Sequence, residues 1–202
     1  MDRPNFDLEE TLLSRGFLRV AGVDEVGRGP LAGPVTAAAV ILDPSDIPEG
    51  LNDSKRLSSK RRDALLPEIA TRAELSIGHA SVEEIDEINI LRAAHLAMLR
   101  ALDGLSSKAD HALIDGTMLP RGLGIPAHAV VKGDGRCLSI AAASIVAKCA
   151  RDAIMVDLAQ QHPGYGWETN MGYGAPAHLA ALKDLGPTPH HRRSFRPVHN
   201  ML

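Results

Sequence analysis

Residues 23–35 read Val23-Asp24-Glu25-Val26-Gly27-Arg28-Gly29-Pro30-Leu31-Ala32-Gly33-Pro34-Val35. The stretch joins two apolar runs. Residues 18–23 before it spell a strand that runs into Asp24. Val35–Leu42 after it is uninterrupted Val, Thr, Ala, Ile and Leu, bounded by Pro34 and Asp43-Pro44, as in a buried strand. The glycine-rich join makes the pair a hairpin-like unit with a long connection. Two carboxylates at the end of an apolar strand are expensive to desolvate unless they are paired or bind metal. Successive strand residues face opposite ways, so Asp24 and Glu25 share a site only if the strand breaks there. Glycines at 27, 29 and 33 allow that break, and with Arg28 they imply close approach of the backbone to another group.

Further along, two more acids end short apolar runs. Asp115 follows residues 112–114 and precedes Gly116; Asp134 closes Lys132-Gly133-Asp134 after a strand at 127–131. Each alone reads equally well as a turn. Together with Asp24 and Glu25 they form a set of strand-end carboxylates, where open α/β sheets place ligands. Oxygen-only donors suit Mg²⁺ or Mn²⁺ rather than zinc. Two such ions would activate a water and stabilise a leaving oxygen in phosphoryl transfer. The stretch at 27–33 lacks the Gly-Lys-Ser/Thr ending of a Walker loop, which disfavours a nucleoside triphosphatase.

Helices are expected at 58–70, capped by Ser58 or Ser59; at 81–102, opened by Ser81 with acids behind it; at 139–161; and at 176–185, with Pro176 in its first turn. Residues 73–80 read as a strand, and the tail from Gly186 as extended. The N-terminus of the helix from Ser139 offers free N–H groups to a phosphate. Ser144, Lys148 and Arg151 or Asp152 share one face of it, which reads equally as a solvated face or as a functional polar seam. Asp152 competes with Asp134 as fourth metal ligand, and Lys148 or Arg151 could equally neutralise it. Gly172-Tyr173-Gly174 flanks a ring that, read alone, is first a core tyrosine and otherwise one able to stack on a sugar or base. The pair His190-His191 reads as a surface feature. Strands grouped first, then alternating with helices, give an α/β class with a mixed sheet and a helical C-terminal part.

The totals set bounds. In 202 residues, 22 Lys and Arg face 25 Asp and Glu, for a net charge of −3, and 45% of residues are hydrophobic. That suits one domain of moderate size. No apolar run is long enough to span a membrane, and the start lacks the pattern of a signal peptide, so a cytoplasmic protein is expected. Cys137 and Cys149 match no zinc or redox spacing. Aromatics are only 3%, which disfavours a single-strand binder built on stacking platforms. The charge is uneven: residues 1–104 carry −6 and residues 105–202 carry +3. The net −3 argues weakly against a generic nucleic-acid binder, though the average hides this split.

In their order, these segments resemble the ribonuclease HII family of bacteria. The resemblance rests on 23–35, Leu51-Asn52-Asp53-Ser54-Lys55-Arg56-Leu57, Ile114-Asp115-Gly116, Lys132-Gly133-Asp134, 139–148, 163–167, 172–174 and 191–195. It implies a ribonuclease H-like fold: a mixed central sheet flanked by helices in residues 1–160, with a helical C-terminal substrate-binding extension in 161–202. It implies an endonuclease that cuts the RNA strand of RNA–DNA hybrids. The same enzyme would cut 5′ to single ribonucleotides in duplex DNA, leaving 3′-hydroxyl and 5′-phosphate ends. By position, Asp24, Glu25, Asp115 and Asp134 correspond to the catalytic, metal-binding acids, holding two Mn²⁺ or Mg²⁺ ions. Gly27, Arg28 and Gly29 correspond to the sensor of the ribose 2′-hydroxyl. Tyr173 corresponds to the residue that stacks at the ribonucleotide junction, and Lys55, Ser139, Ser144 and Lys148 to phosphate contacts. The order favours Asp134 over Asp152. Val26, Trp167, Met171 and Ala175 depart from the common pattern, the last two beside Tyr173. The expected partners are the two nucleic-acid duplexes, met by a monomer. Taken with this family resemblance, the charge split puts a nucleic-acid face mainly in the second half.

Overall fold

The computed structural model describes residues 3–201. The strands are β1 (Val20–Val26), β2 (Val35–Leu42), β3 (Ala73–Ala80), β4 (His111–Asp115) and β5 (Ala127–Val130). The helices are α1 (Asp7–Ser14), α2 (Ser59–Arg72), α3 (Val82–Ile88), α4 (Ile90–Asp103), α5 (Leu138–Gln161), α6 (Trp167–Asn170), α7 (Pro176–Leu185) and α8 (Arg196–His199). The sheet order is β3-β2-β1-β4-β5. β1, β2 and β3 pair antiparallel, whereas β1–β4 and β4–β5 are parallel. This is the mixed sheet flanked by helices that the sequence implies.

β2 shows why its run is apolar throughout. Val35, Ala37 and Ala39 pack with Ile85, Ala94, Ala97 and Met98 of α3 and α4. Ala38, Val40 and Leu42, of opposite parity, pack with Leu65 and Ile69 of α2 and with Ala142, Ile145 and Val146 of α5. A strand covered on both faces has no solvent side to alternate with. The small residues have a reason too. A Cβ on Gly22 would run into the backbone of Ser139 and Ile140, so α5 lies directly on β1. That contact brings α5 against the strand that ends in the two acids.

The single helix expected over 81–102 is two. Ser81 opens α3 with a capping box: its Oγ accepts from the Glu84 N–H at 3.3 Å, and its own N–H donates to Glu84 Oε2 at 2.9 Å. At Asn89 the chain turns to φ 69° with ψ 161°, a positive-φ conformation outside the αL well and rare for residues other than glycine. The Asn89 Oδ1 then accepts from the N–H groups of Leu91 and Arg92 and caps α4. Apolar periodicity runs through such a break, so it hides the kink. The tail is not wholly extended either, since it ends in the short α8. Among the described residues, no helix is long and apolar enough to cross a membrane.

Candidate active site

Asp24 and Glu25 are brought together without a break in the strand. β1 continues to Val26, pairing Asp24 with Ala38 and Glu25 with Ala37 of β2. On the other side the ladder to β4 ends at Val23–Ile114. The strand therefore keeps its regular alternation while its flank toward β4 opens. Glu25 and Asp115 line a cavity of about 170 Å³ with Arg28, His95 and α4.

Asp24 is only 7% exposed. Burial, and then the charges of Glu25, Asp115 and Asp134, hold its carboxyl well above the usual range. Burial also raises Glu25, with Asp115 adding to the effect and Arg28 opposing it. Asp134 lies in a short 3₁₀ turn, Gly133–Gly135, entered through Lys132 at φ 54°. Its carboxyl is raised by burial, then by Asp115 and Asp53. The four acids thus act on one another through space, as the sequence expects. Asp115 Oδ1 accepts from the Gly133 N–H at 2.6 Å, which ties the β4 end to the turn holding Asp134.

Two cations attend the set. Lys55 Nζ lies 3.7 Å from Asp134 Oδ2. Burial works against the Lys55 charge, but Asp24, Asp134 and Asp53 outweigh it and raise its pKa. Arg28 Nη1 lies 3.4 Å from Glu25 Oε1. Among the described residues, no three His, Cys, Asp or Glu side chains surround one point as a preformed metal cage. The donor chemistry nonetheless fits a hard divalent cation: four oxygen donors whose mutual repulsion raises Asp24. Asp152 is engaged elsewhere, at 2.7 Å from Lys148 Nζ and 3.9 Å from Arg62 Nη2.

Ser139 and Ser144 do not match the expectation of phosphate contacts. Both are buried. Ser139 donates its hydroxyl to Glu9 Oε1 at 2.6 Å and its N–H to the same oxygen at 2.9 Å. The α5 N-terminus expected to face a phosphate therefore meets a carboxylate of α1. Ser144 donates to Ala141 O and accepts from the Ser54 N–H at 3.2 Å. It thereby tethers the turn that carries Lys55. Lys148 is half-buried and paired with Asp152.

The connection after β1 is compact. Gly27 has φ 95°, and a Cβ there would press on Arg151 and on Pro34 O. At Gly29 a Cβ would stand 3.4 Å from Tyr173 Cε1, so the loop and the ring are neighbours. Tyr173 is 45% exposed. Arg151 is buried and donates to Pro34 O at 2.9 Å, Ala32 O at 3.0 Å and Met171 O at 2.9 Å. Arg192 is buried against the same loop. Part of the basic excess after residue 104 is therefore interior rather than on a nucleic-acid face. His191 is also fully buried, which corrects the surface reading of that member of the pair. Nothing in residue type separates the buried Arg192 from the exposed Arg193 beside it. Glu9 had no signal at all, being one of several acids in a short helix.

A family model described as ribonuclease HII matches residues 21–198. A ribonuclease HII of Roseobacter denitrificans is 70% identical over 190 residues, covering 94% of this chain and 96% of that protein. One from Cereibacter sphaeroides is 69% identical over 199 residues, covering 98% and 94%. The crystal structure of ribonuclease H2 from Pyrococcus horikoshii superimposes with a TM-score of 0.76 at 26% identity. It covers 91% of this chain and 97% of its own.

Proposed function

Because the chain belongs to the ribonuclease HII family, a family of nucleases, we propose that it cuts the RNA strand of RNA–DNA hybrids and nicks duplex DNA 5′ to single embedded ribonucleotides. The products carry 3′-hydroxyl and 5′-phosphate ends. The observation that supports this most is the conjunction of the four interacting carboxylates with the Gly27–Gly29 loop and Tyr173 beside it.

Asp24, Glu25, Asp115 and Asp134 would hold two Mg²⁺ or Mn²⁺ ions. Bound there, such ions supply a deprotonated water and neutralise charge at the phosphate. The remaining work belongs to the chain. Gly133 N–H fixes one Asp115 oxygen and leaves the other for ligation. Lys55 is kept protonated by its acidic neighbours and offers its charge to a substrate phosphate beside Asp134. Arg28 reaches from the loop to Glu25, so ribose sensing and the acid set are in contact. The 2′-hydroxyl is the group that separates RNA from DNA, and the backbone at 27–29 is the surface offered to it. Tyr173 presents a ring face to the neighbouring deoxyribose. Residues 1–160 carry the acids and 161–202 the junction ring. The protein acts as a monomer in the cytoplasm.

The test uses three matched duplexes: a uniform hybrid, a duplex with one ribonucleotide, and an all-DNA duplex, each with Mg²⁺ and with Mn²⁺. Cutting of the first two and not the third is expected. Comparable cutting of the all-DNA duplex would sink the reading.

A further inference from the structure

Residues 191 and 192 are adjacent in the chain, buried, and lie behind two different parts of the proposed substrate surface. The Arg192 guanidinium, which lies 5.1 Å from the Phe195 ring centroid, directs its hydrogen bonds to backbone carbonyls of one loop. Nε donates to Gly33 O at 2.9 Å; Nη1 donates to Pro30 O at 2.8 Å and Arg28 O at 3.2 Å. Nη2 donates to Gly27 O at 2.6 Å and Pro34 O at 3.1 Å. The backbone adds to this. Arg192 N–H donates to Leu31 O at 2.8 Å, and Gly33 N–H donates to His190 O at 2.9 Å. A lysine could not reproduce this, because it lacks the planar fork.

His191 points the other way, into a buried chain whose proton positions are dictated by its ends. The Trp167 indole N–H can only donate, and it meets His178 Nε2 at 3.0 Å. The His178 proton is therefore on Nδ1, where it is donated to Tyr173 O at 2.8 Å. Thr188 N–H donates to His191 Nδ1 at 2.9 Å, so the His191 proton is on Nε2, 3.1 Å from His178 Nε2, whose one lone pair it shares with the Trp167 N–H. Both histidines are buried.

We infer that His191-Arg192 is a positioning segment that sets Tyr173 and the Gly27–Gly29 loop in register with each other and so determines preference for a ribonucleotide junction. This rests on the ribonuclease reading above. Neither residue touches the substrate surface itself. Arg192 shapes the loop from beneath, and His191 reaches the backbone of Tyr173 through His178. The two arms meet where the Tyr173 ring lies beside Gly29, close enough that a Cβ on Gly29 would stand 3.4 Å from Cε1.

The experiment compares full-length wild type, Arg192→Lys, His191→Gln, Tyr173→Ala and the double variant His191→Gln/Tyr173→Ala. Substrates are the uniform hybrid and the single-ribonucleotide duplex. Arg192→Lys and His191→Gln are each expected to raise KM for the single-ribonucleotide duplex about tenfold, as displaced positioning groups do. The fall in kcat and the change on the uniform hybrid should be smaller. The double variant should be no worse than Tyr173→Ala alone. A merely structural role would lower both substrates in parallel and add to Tyr173→Ala. Trp167 is the chain's one tryptophan, so its indole N–H resonance reports whether each variant is folded with the chain of bonds intact. If Arg192→Lys does not fold, His191→Gln decides. Folded variants with wild-type preference overturn the coupling and leave the ribonuclease reading standing. A wild type that cuts neither duplex overturns that reading, and the coupling with it.

Discussion

Glu9 Oε1 accepts both the hydroxyl and the backbone N–H of Ser139, pinning α1 to the start of α5 across 130 residues of chain. Its other oxygen, Oε2, is buried without a hydrogen-bond partner. Burial raises the Glu9 pKa, with the Ser139 bonds opposing the rise. The native state therefore holds a proton on Glu9 at a pH where the unfolded chain has lost it. The stabilisation is complete below the unfolded value, about 4.3. It is lost as pH rises through the folded value. Melting wild type and Glu9→Gln between pH 4 and pH 8 should show the difference turning in favour of wild type as pH falls. Parallel curves would refute the buried-carboxylate account. Glu9→Ala should lose about 1–3 kcal/mol, because Ser139 is left with a buried unsatisfied hydroxyl.

Asp134 and Asp152 separate the two candidates for the fourth acid. Asp134 adds its charge to Asp24, whereas Asp152 is paired with Lys148 and Arg62. Asp115→Asn and Asp134→Asn should each abolish metal-dependent cutting of the single-ribonucleotide duplex. Asp152→Asn should stay within the roughly 10–100-fold loss of a supporting group. Equal losses in Asp134→Asn and Asp152→Asn would reverse the assignment.

Gly27 and Gly29 should respond differently to one added methyl. Gly27→Ala forces a side chain into φ 95° and against Arg151 and Pro34 O. It should destabilise by about 1–3 kcal/mol. A methyl on Gly29 makes an ordinary contact with Tyr173, so Gly29→Ala should melt near wild type and instead raise KM for ribonucleotide-containing duplexes. Chemical denaturation and steady-state kinetics on both variants read this directly. A Gly29→Ala protein with unchanged KM would detach the loop from recognition.

Ser144→Ala removes the acceptor for Ser54 N–H and loosens the turn carrying Lys55. About 1 kcal/mol of stability should be lost. Substrate affinity should fall in the same direction as in Lys55→Ala, and the two substitutions should combine with less than additive loss. Strict additivity in binding would show that Ser144 does not act through Lys55.

Elements with a clean apolar run or a marked boundary were legible from sequence. Val35–Leu42, Ala73–Ala80 and Pro176–Leu185 lie where their patterns put them. The break at Asn89 was not, because a one-residue positive-φ turn leaves apolar spacing nearly undisturbed. The acids were legible because carboxylates at the ends of apolar strands are chemically conspicuous. Their helpers were not. Glu9, Arg151, Arg192 and His191 owe their roles to burial, and burial depends on which distant backbone closes over a side chain. Arg192 and Arg193 carry identical chemistry; only the carbonyls of residues 27–34 make one of them an interior group.

β1 is paired on both sides at Gly22 and Val23, and α5 presses on it at Gly22. Such a strand belongs to the last part of a fold to open, so its amides should exchange with solvent only through global unfolding. Asp24 and Glu25 follow directly on this block and stay paired with Ala38 and Ala37 of β2, which limits local fraying to their open flank toward β4. The two carboxylates are thus held at fixed positions by β2, as the proposed metal ligation would require.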